Sequence, residues 1–128
     1  MENYIQQLDK EFVKNANPSI AAAQKAYMKN QFEFLGLPSP VRKKLQLPFL
    51  VSTYLPPKAA LESIIKSLWE KPEREFQYFA QELILKYKNE LEEKDIELFE
   101  FMAIHKSWWD TIDYIAPKLI GNYFNKYP

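Results

Sequence analysis

The sequence predicts an all-α protein whose short helices pack as antiparallel pairs, and three observations carry that expectation. Only 2 glycines occur in 128 residues, too few for the tight turns of a strand-rich fold. Apolar residues recur at three- and four-residue intervals, and strict alternation is hard to find. The prolines stand where helices begin.

Seven helices are expected, over roughly residues 3–15, 18–34, 40–54, 57–70, 72–89, 93–104 and 107–125. The first carries Ile5, Leu8 and Phe12 on one side. Asn17-Pro18 supplies an N-cap and a first-turn proline to the second, and Gly36, just after Phe34-Leu35, is expected as its C-cap. Ser39-Pro40 opens the third helix in the same way, while Pro57 and Pro72 suit the first turns of the fourth and fifth. The fourth helix presents Leu61, Ile64, Ile65 and Leu68. Along the fifth, Phe76, Phe79, Ala80, Leu83 and Tyr87 line one face, with Glu73, Gln77, Gln81 and Lys88 expected outside. Ser107 is expected to cap the seventh, where Trp108, Ile112, Ile115 and Leu119 form a stripe at i, i+4, i+7 and i+11. Pro48 and Pro117 fall inside predicted helices and should kink or split them. Helix pairs of roughly 35–45 residues are the size of HEAT-like units, so stacking into an α-α superhelix is expected. No strict internal repeat is visible, which leaves a bundle as the competing architecture.

Apolar residues make up 47% and charged residues 27%, an ordinary balance for one soluble globular domain over residues 1–128. The 17 basic and 17 acidic residues cancel, which argues against a dedicated polyanion binder. Their distribution is less even: Pro38 to Lys58 holds four bases and no acid, and Asn89 to Glu100 holds six acids against Lys94. Such runs are solvated helix faces in the first instance. Without cysteine, a signal-like N-terminus or a long apolar run, a cytoplasmic location is expected.

The string Ser107-Trp108-Trp109-Asp110-Thr111-Ile112-Asp113 is the most informative in the chain. Trp109 and Asp113 are i and i+4, about 100° round the helix from the Trp108 stripe. An aromatic plate beside a carboxylate suits a flat cationic ligand, such as a modified nucleobase. Other catalytic constellations are missing. The one histidine, His105, stands two residues before Ser107 and suits a helix end better than a base. No Cys–His pair, histidine metal site or glycine-rich phosphate loop can be assembled, and the acidic run lacks calcium-loop spacing. Any reaction must run on a carboxylate, aromatics and fixed electrostatics.

Three blocks resemble the bacterial AlkD-type DNA alkylation repair glycosylases, a family of HEAT-like helical repeats. They are Tyr27-Met28-Lys29-Asn30-Gln31-Phe32-Glu33-Phe34-Leu35-Gly36-Leu37-Pro38-Ser39-Pro40-Val41-Arg42, Leu68-Trp69-Glu70-Lys71-Pro72-Glu73-Arg74-Glu75-Phe76-Gln77-Tyr78, and the Ser107 heptad preceded by Lys106. The resemblance implies hydrolysis of the N-glycosidic bond of N3- or N7-alkylated purines in double-stranded DNA, with no metal and no cofactor. It places Trp109 and Asp113 at the chemistry, Tyr27 near the lesion and the Ser39-Pro40 turn near the DNA backbone. Lys29, Arg42 and Lys43 are expected as further DNA contacts, the last two being surface charges first and phosphate partners second.

Members of that family are longer, so the resemblance also implies that these residues are the N-terminal part of a longer domain. Part of the groove would then be missing, including a further tryptophan and much basic surface. A chain of this extent is expected to be weak or inactive alone, with the apolar face of its last helix open to a second copy. The alternative is a non-catalytic helical-repeat module that binds DNA or protein, because fold alone does not fix function.

Overall fold

The computed structural model describes residues 2–128, with side chains from Tyr4 onward, and every regular element among them is helical. The α-helices are α1 (Glu2–Lys14), α2 (Pro18–Tyr27), α3 (Ser39–Gln46), α4 (Leu61–Glu70), α5 (Arg74–Leu85), α6 (Asp95–Ile104), α7 (Trp109–Tyr114) and α8 (Gly121–Lys126). Single 3-10 turns at Leu47–Phe49, Ser52–Tyr54, Lys58–Ala60 and Lys88–Glu90 link them, and a π-helical segment, Ile115–Ile120, joins α7 to α8. One isolated parallel bridge pairs Glu33 with Glu73. The expected all-α stack of short helices is what the chain forms.

Several boundaries differ from expectation, each for a local reason. Asn17 does cap α2, its side chain accepting the Ser19 and Ile20 amides at 3.1 and 3.2 Å. That helix ends at Tyr27 instead of running to residue 34. Lys29 (φ 54) and Asn30 (φ 61) take left-handed backbone, which turns the chain out of the helix. Gly36 is therefore no C-cap. It sits in the following loop at φ 88, so close to α2 that an added Cβ would lie 2.0 Å from the Asn17 carbonyl oxygen.

At α3 the cap position is Pro38, and Ser39 and Pro40 fill the first two helical places, where a missing N–H costs nothing. Pro48 stops this helix at Gln46, and the chain continues in 3-10 turns instead of reaching residue 54. Ser107 does not cap α7. Trp108 does so by position, with extended backbone (φ −160, ψ 170), so its ring leaves the expected stripe and meets Phe32 edge-on at 6.5 Å. Pro117 has no N–H to give to the carbonyl four residues back. The π register around it keeps the chain helical where an α register would break.

The core is centred on α5, which packs against α4, α7 and the π segment. Leu8 and Phe12 of α1, Ile65 and Leu68 of α4, Phe76, Phe79 and Leu83 of α5, and Met102 of α6 are wholly buried. Burying each such Phe or Leu contributes about 1.5–3 kcal/mol. Gln77 and Gln81 are buried as well, against the expectation that they face water. Their side-chain N–H groups are satisfied: Gln77 donates to the Leu68 and Lys71 carbonyls at 3.0 Å each, and Gln81 to the Thr111 carbonyl at 3.2 Å, while the Gln77 Oε1 is buried without a partner. Helix α5 is thus enclosed on every side, with polar side chains tying it to its neighbours. No helix among the described residues is long and apolar enough to cross a membrane.

Candidate functional site

Helices α2, α3, α5 and α7 leave a groove of about 920 Å³ between them. Ile20, Ala23, Met28, Phe34 and Leu37 give it an apolar wall, and Tyr78, Tyr114, Asp110 and Glu82 face them. Lys43 and Lys118 also line it. Burial and the carboxylate of Glu82 push the Tyr114 hydroxyl up to about 12, so it stays a neutral donor at physiological pH.

Tyr78 and Asp110 of the groove lining belong to a network that begins with a wholly buried arginine. The Arg74 guanidinium donates to both carboxylate oxygens of Asp110, at 2.8 and 2.7 Å, to the Thr111 hydroxyl at 3.0 Å and to the Lys106 carbonyl at 2.8 Å. The Tyr78 hydroxyl donates to Asp110 at 2.5 Å. Burial alone would raise the Asp110 carboxyl, but hydrogen bonds from Arg74 and Tyr78, the Arg74 charge and the Thr111 amide outweigh it. The net result is a carboxyl held below its ordinary range. Burial, then the Asp110 carboxylate, holds the Tyr78 phenol far above its ordinary range.

The network joins all three blocks that the sequence singles out. The Arg74 amide donates to the Glu33 carbonyl at 2.9 Å, and Glu75 takes the amides of Leu35, Gly36 and Leu37. The Phe32 ring lies 3.8 Å from the Arg74 guanidinium carbon. Arg74 and Glu75 are therefore the hub on which the first block, the second block and α7 converge.

Among the residues expected at the site, Trp109 and Asp113 are both exposed on α7, at its first and fifth positions, with Trp109 73% exposed. Asp113 has no ion-pair partner among the described residues: of the two lysines near it in sequence, Lys106 donates to the Lys71 carbonyl at 2.6 Å, and the Lys118 ammonium lies 4.6 Å from the Tyr114 ring centre. Tyr27, 85% exposed, lines the groove together with Ser39, Arg42 and Lys43. Lys29 and Pro40 are exposed and lie outside the groove lining.

Arg42 is not the surface charge it was expected to be. It is buried, pairs with Glu82 at 2.5 Å and donates to Gln46 at 2.9 Å. His105 is a helix end, as expected, with its ring stacked on Phe101 and its Nδ1 2.9 Å from the Phe101 carbonyl oxygen. The network residues Arg74, Tyr78 and Asp110 were missed as a site. The available signal was the pair Arg74 and Tyr78 at i and i+4, two polar side chains on a helix otherwise rich in large apolar residues.

A family model for DNA alkylation repair enzymes matches residues 8–128, a span that contains all three blocks. The chain belongs to the DNA alkylation repair enzyme family. A solved structure described as a predicted DNA alkylation repair enzyme from Enterococcus faecalis is similar to it, with 32% identity and a TM-score of 0.76. That match covers 87% of this chain and 54% of the other, so the chain spans about half the length of the similar protein. No curated protein matches the sequence significantly. Within this DNA alkylation repair enzyme family member, Trp109 and Asp113 stand exposed on α7, and neither is among the residues that line the groove.

Proposed function

We propose that this chain carries the catalytic helix of a DNA glycosylase that excises N3- or N7-alkylated purines from duplex DNA. The observation that supports this reading is the pairing of an exposed Trp109 with an exposed Asp113 one turn along α7. A large aromatic left in water at the start of a helix suits a ligand with a flat face.

The chemistry fits those two groups. An alkylated purine already bears positive charge, so the bond from its ring nitrogen to C1′ breaks with the electron pair moving to the base. The base leaves neutral and needs little general-acid help. The sugar gains oxocarbenium character, and the Asp113 carboxylate stabilises that positive charge and orients a water towards C1′. As the water oxygen bonds to C1′ its proton passes to Asp113 and then to solvent. Trp109 packs against the sugar or the cationic base, a contact worth roughly 0.5–2 kcal/mol. Tyr27 and Lys43, at the groove, would contact the duplex.

Release of 7-methylguanine and 3-methyladenine from methylated duplex DNA tests the proposal. Asp113→Asn should lose excision while keeping DNA affinity; excision at the unaltered rate by that variant would sink the catalytic assignment. Binding of duplex DNA without any release, by this chain and by a longer form carrying the same residues, would favour the non-catalytic module.

A further inference from the structure

We propose that Arg74 is the positioning residue that holds Trp109 and Asp113 in their outward orientation, acting through the first turn of α7. Its catalytic consequence rests on the glycosylase reading; its structural consequence does not.

The need for such a residue follows from the weakness of α7 itself. The helix is six residues long, its cap residue Trp108 makes no side-chain cap bond, and Pro117 denies it a regular continuation. A helix of that length has little stability of its own. What fixes it is external. One guanidinium holds three places in succession: the Lys106 carbonyl in the turn before α7, and the Asp110 carboxylate and Thr111 hydroxyl in its first turn.

Each neighbour of that clamp is itself held. Tyr78 takes the Asp110 carboxylate from a second side, and Gln81 takes the Thr111 carbonyl. The Trp69 indole N–H donates to the His105 carbonyl at 2.6 Å. Lys106 adopts φ 55, a left-handed backbone that a non-glycine residue keeps only when its surroundings enforce it. With Asp110 and Thr111 fixed inward, the 100° step of the helix leaves Trp109 and Asp113 facing out together. Arginine is specific to this task, because a lysine is a point charge that cannot serve a bidentate carboxylate, a hydroxyl and a carbonyl at once.

The test labels the protein with 5-fluorotryptophan, which gives lines for Trp69, Trp108 and Trp109; Trp109→Phe assigns the last. In Arg74→Lys and in Asp110→Asn, the Trp109 line should shift and broaden while Trp69 keeps a sharp line. Single-turnover excision of 7-methylguanine should fall at least about tenfold, with duplex affinity changed less than about twofold, the pattern of a misplaced group. Where Arg74→Lys does not fold, Asp110→Asn, which preserves side-chain size, decides. An unmoved Trp109 line with full excision in a folded variant overturns the proposal. So does a joint shift of all three lines, or a loss of affinity that accounts for the loss of rate. If neither this chain nor a longer form carrying the same residues releases base, the glycosylase reading fails, and the fluorine lines still decide the positioning role.

Discussion

The Glu75 carboxylate accepts the backbone amide of Leu37 at 3.1 Å, although 38 residues of chain separate them. The same carboxylate takes the amides of Leu35 at 3.0 and 3.1 Å and of Gly36 at 3.0 Å. Three successive amides round one buried anion form a small nest, here with the protein's own side chain as the bound anion. It fastens the loop after α2 to the central helix, and with it one wall of the groove.

Replacing Glu75 should loosen that wall. Glu75→Gln keeps one accepting oxygen but turns an N–H towards amides that also donate. Hydrogen bonds to charged groups contribute about 1.5–3 kcal/mol each, so a loss of about 3 kcal/mol is expected, and more for Glu75→Ala. Urea unfolding of both variants measures it. A change below about 0.5 kcal/mol would mean the nest is incidental.

Gly36→Ala should also be costly, for a different reason. Its φ of 88 disfavours any side chain, and the new methyl would stand 2.0 Å from the Asn17 carbonyl oxygen, a backbone atom that cannot swing away. Strain of about 1–3 kcal/mol is expected even after the start of α2 shifts. Thermal unfolding reads it as a lowered Tm.

How much of this was legible in the sequence depends on the kind of signal. Asn17-Pro18 marked a helix start because a side-chain acceptor and a pre-set φ act locally. The end of α2 was hidden, since Lys29 and Asn30 are ordinary helix-compatible residues until tertiary packing selects left-handed backbone for them. Gln77 and Gln81 appeared as an outer face because polarity alone cannot say that a neighbour's carbonyls will meet it. At the site, spacing separated Trp109 and Asp113 from the core face. The roles of Asp110 and Arg42 depended on Arg74 and Glu82, partners 36 and 40 residues away that no periodicity connects.

Stability in acid should depend on Asp110. Its carboxyl is held below its ordinary value of about 3.9 in the folded state, so ionised Asp110 favours folding. That contribution is complete above the unfolded-state value and is lost as pH falls through the lower folded-state value. The stability gap between wild type and Asp110→Asn should thus be constant above about pH 5 and shrink steadily below about pH 4. Denaturant titrations across that range check the sign; a gap that widens in acid would contradict the ion pair with Arg74.

Trp109 and Trp69 should respond oppositely to replacement. Trp109 stands in water, so Trp109→Ala should change stability by no more than about 0.5 kcal/mol while abolishing most excision. Trp69 is buried and donates to His105, so Trp69→Phe should cost about 1–3 kcal/mol, from a small cavity and an unpaired carbonyl. Melting curves paired with excision rates separate the two.

The salt dependence of duplex binding should distinguish two neighbouring bases on α3. Lys43 is exposed and lines the groove, whereas the charge of Arg42 is already taken by Glu82 and its guanidinium is buried. A phosphate contact releases condensed counterions, and each one lost flattens the log–log salt slope by about 0.9. Lys43→Ala should therefore reduce the slope by close to that amount, with little change in stability. Arg42→Met should leave the slope unchanged and lower stability instead, because it strands the half-buried Glu82 carboxylate and removes the cation 5.2 Å from the Tyr78 ring centre. Binding isotherms at several salt concentrations, with urea unfolding of each variant, give both quantities. An equal loss of slope in the two variants would show that Arg42 leaves Glu82 to meet the DNA.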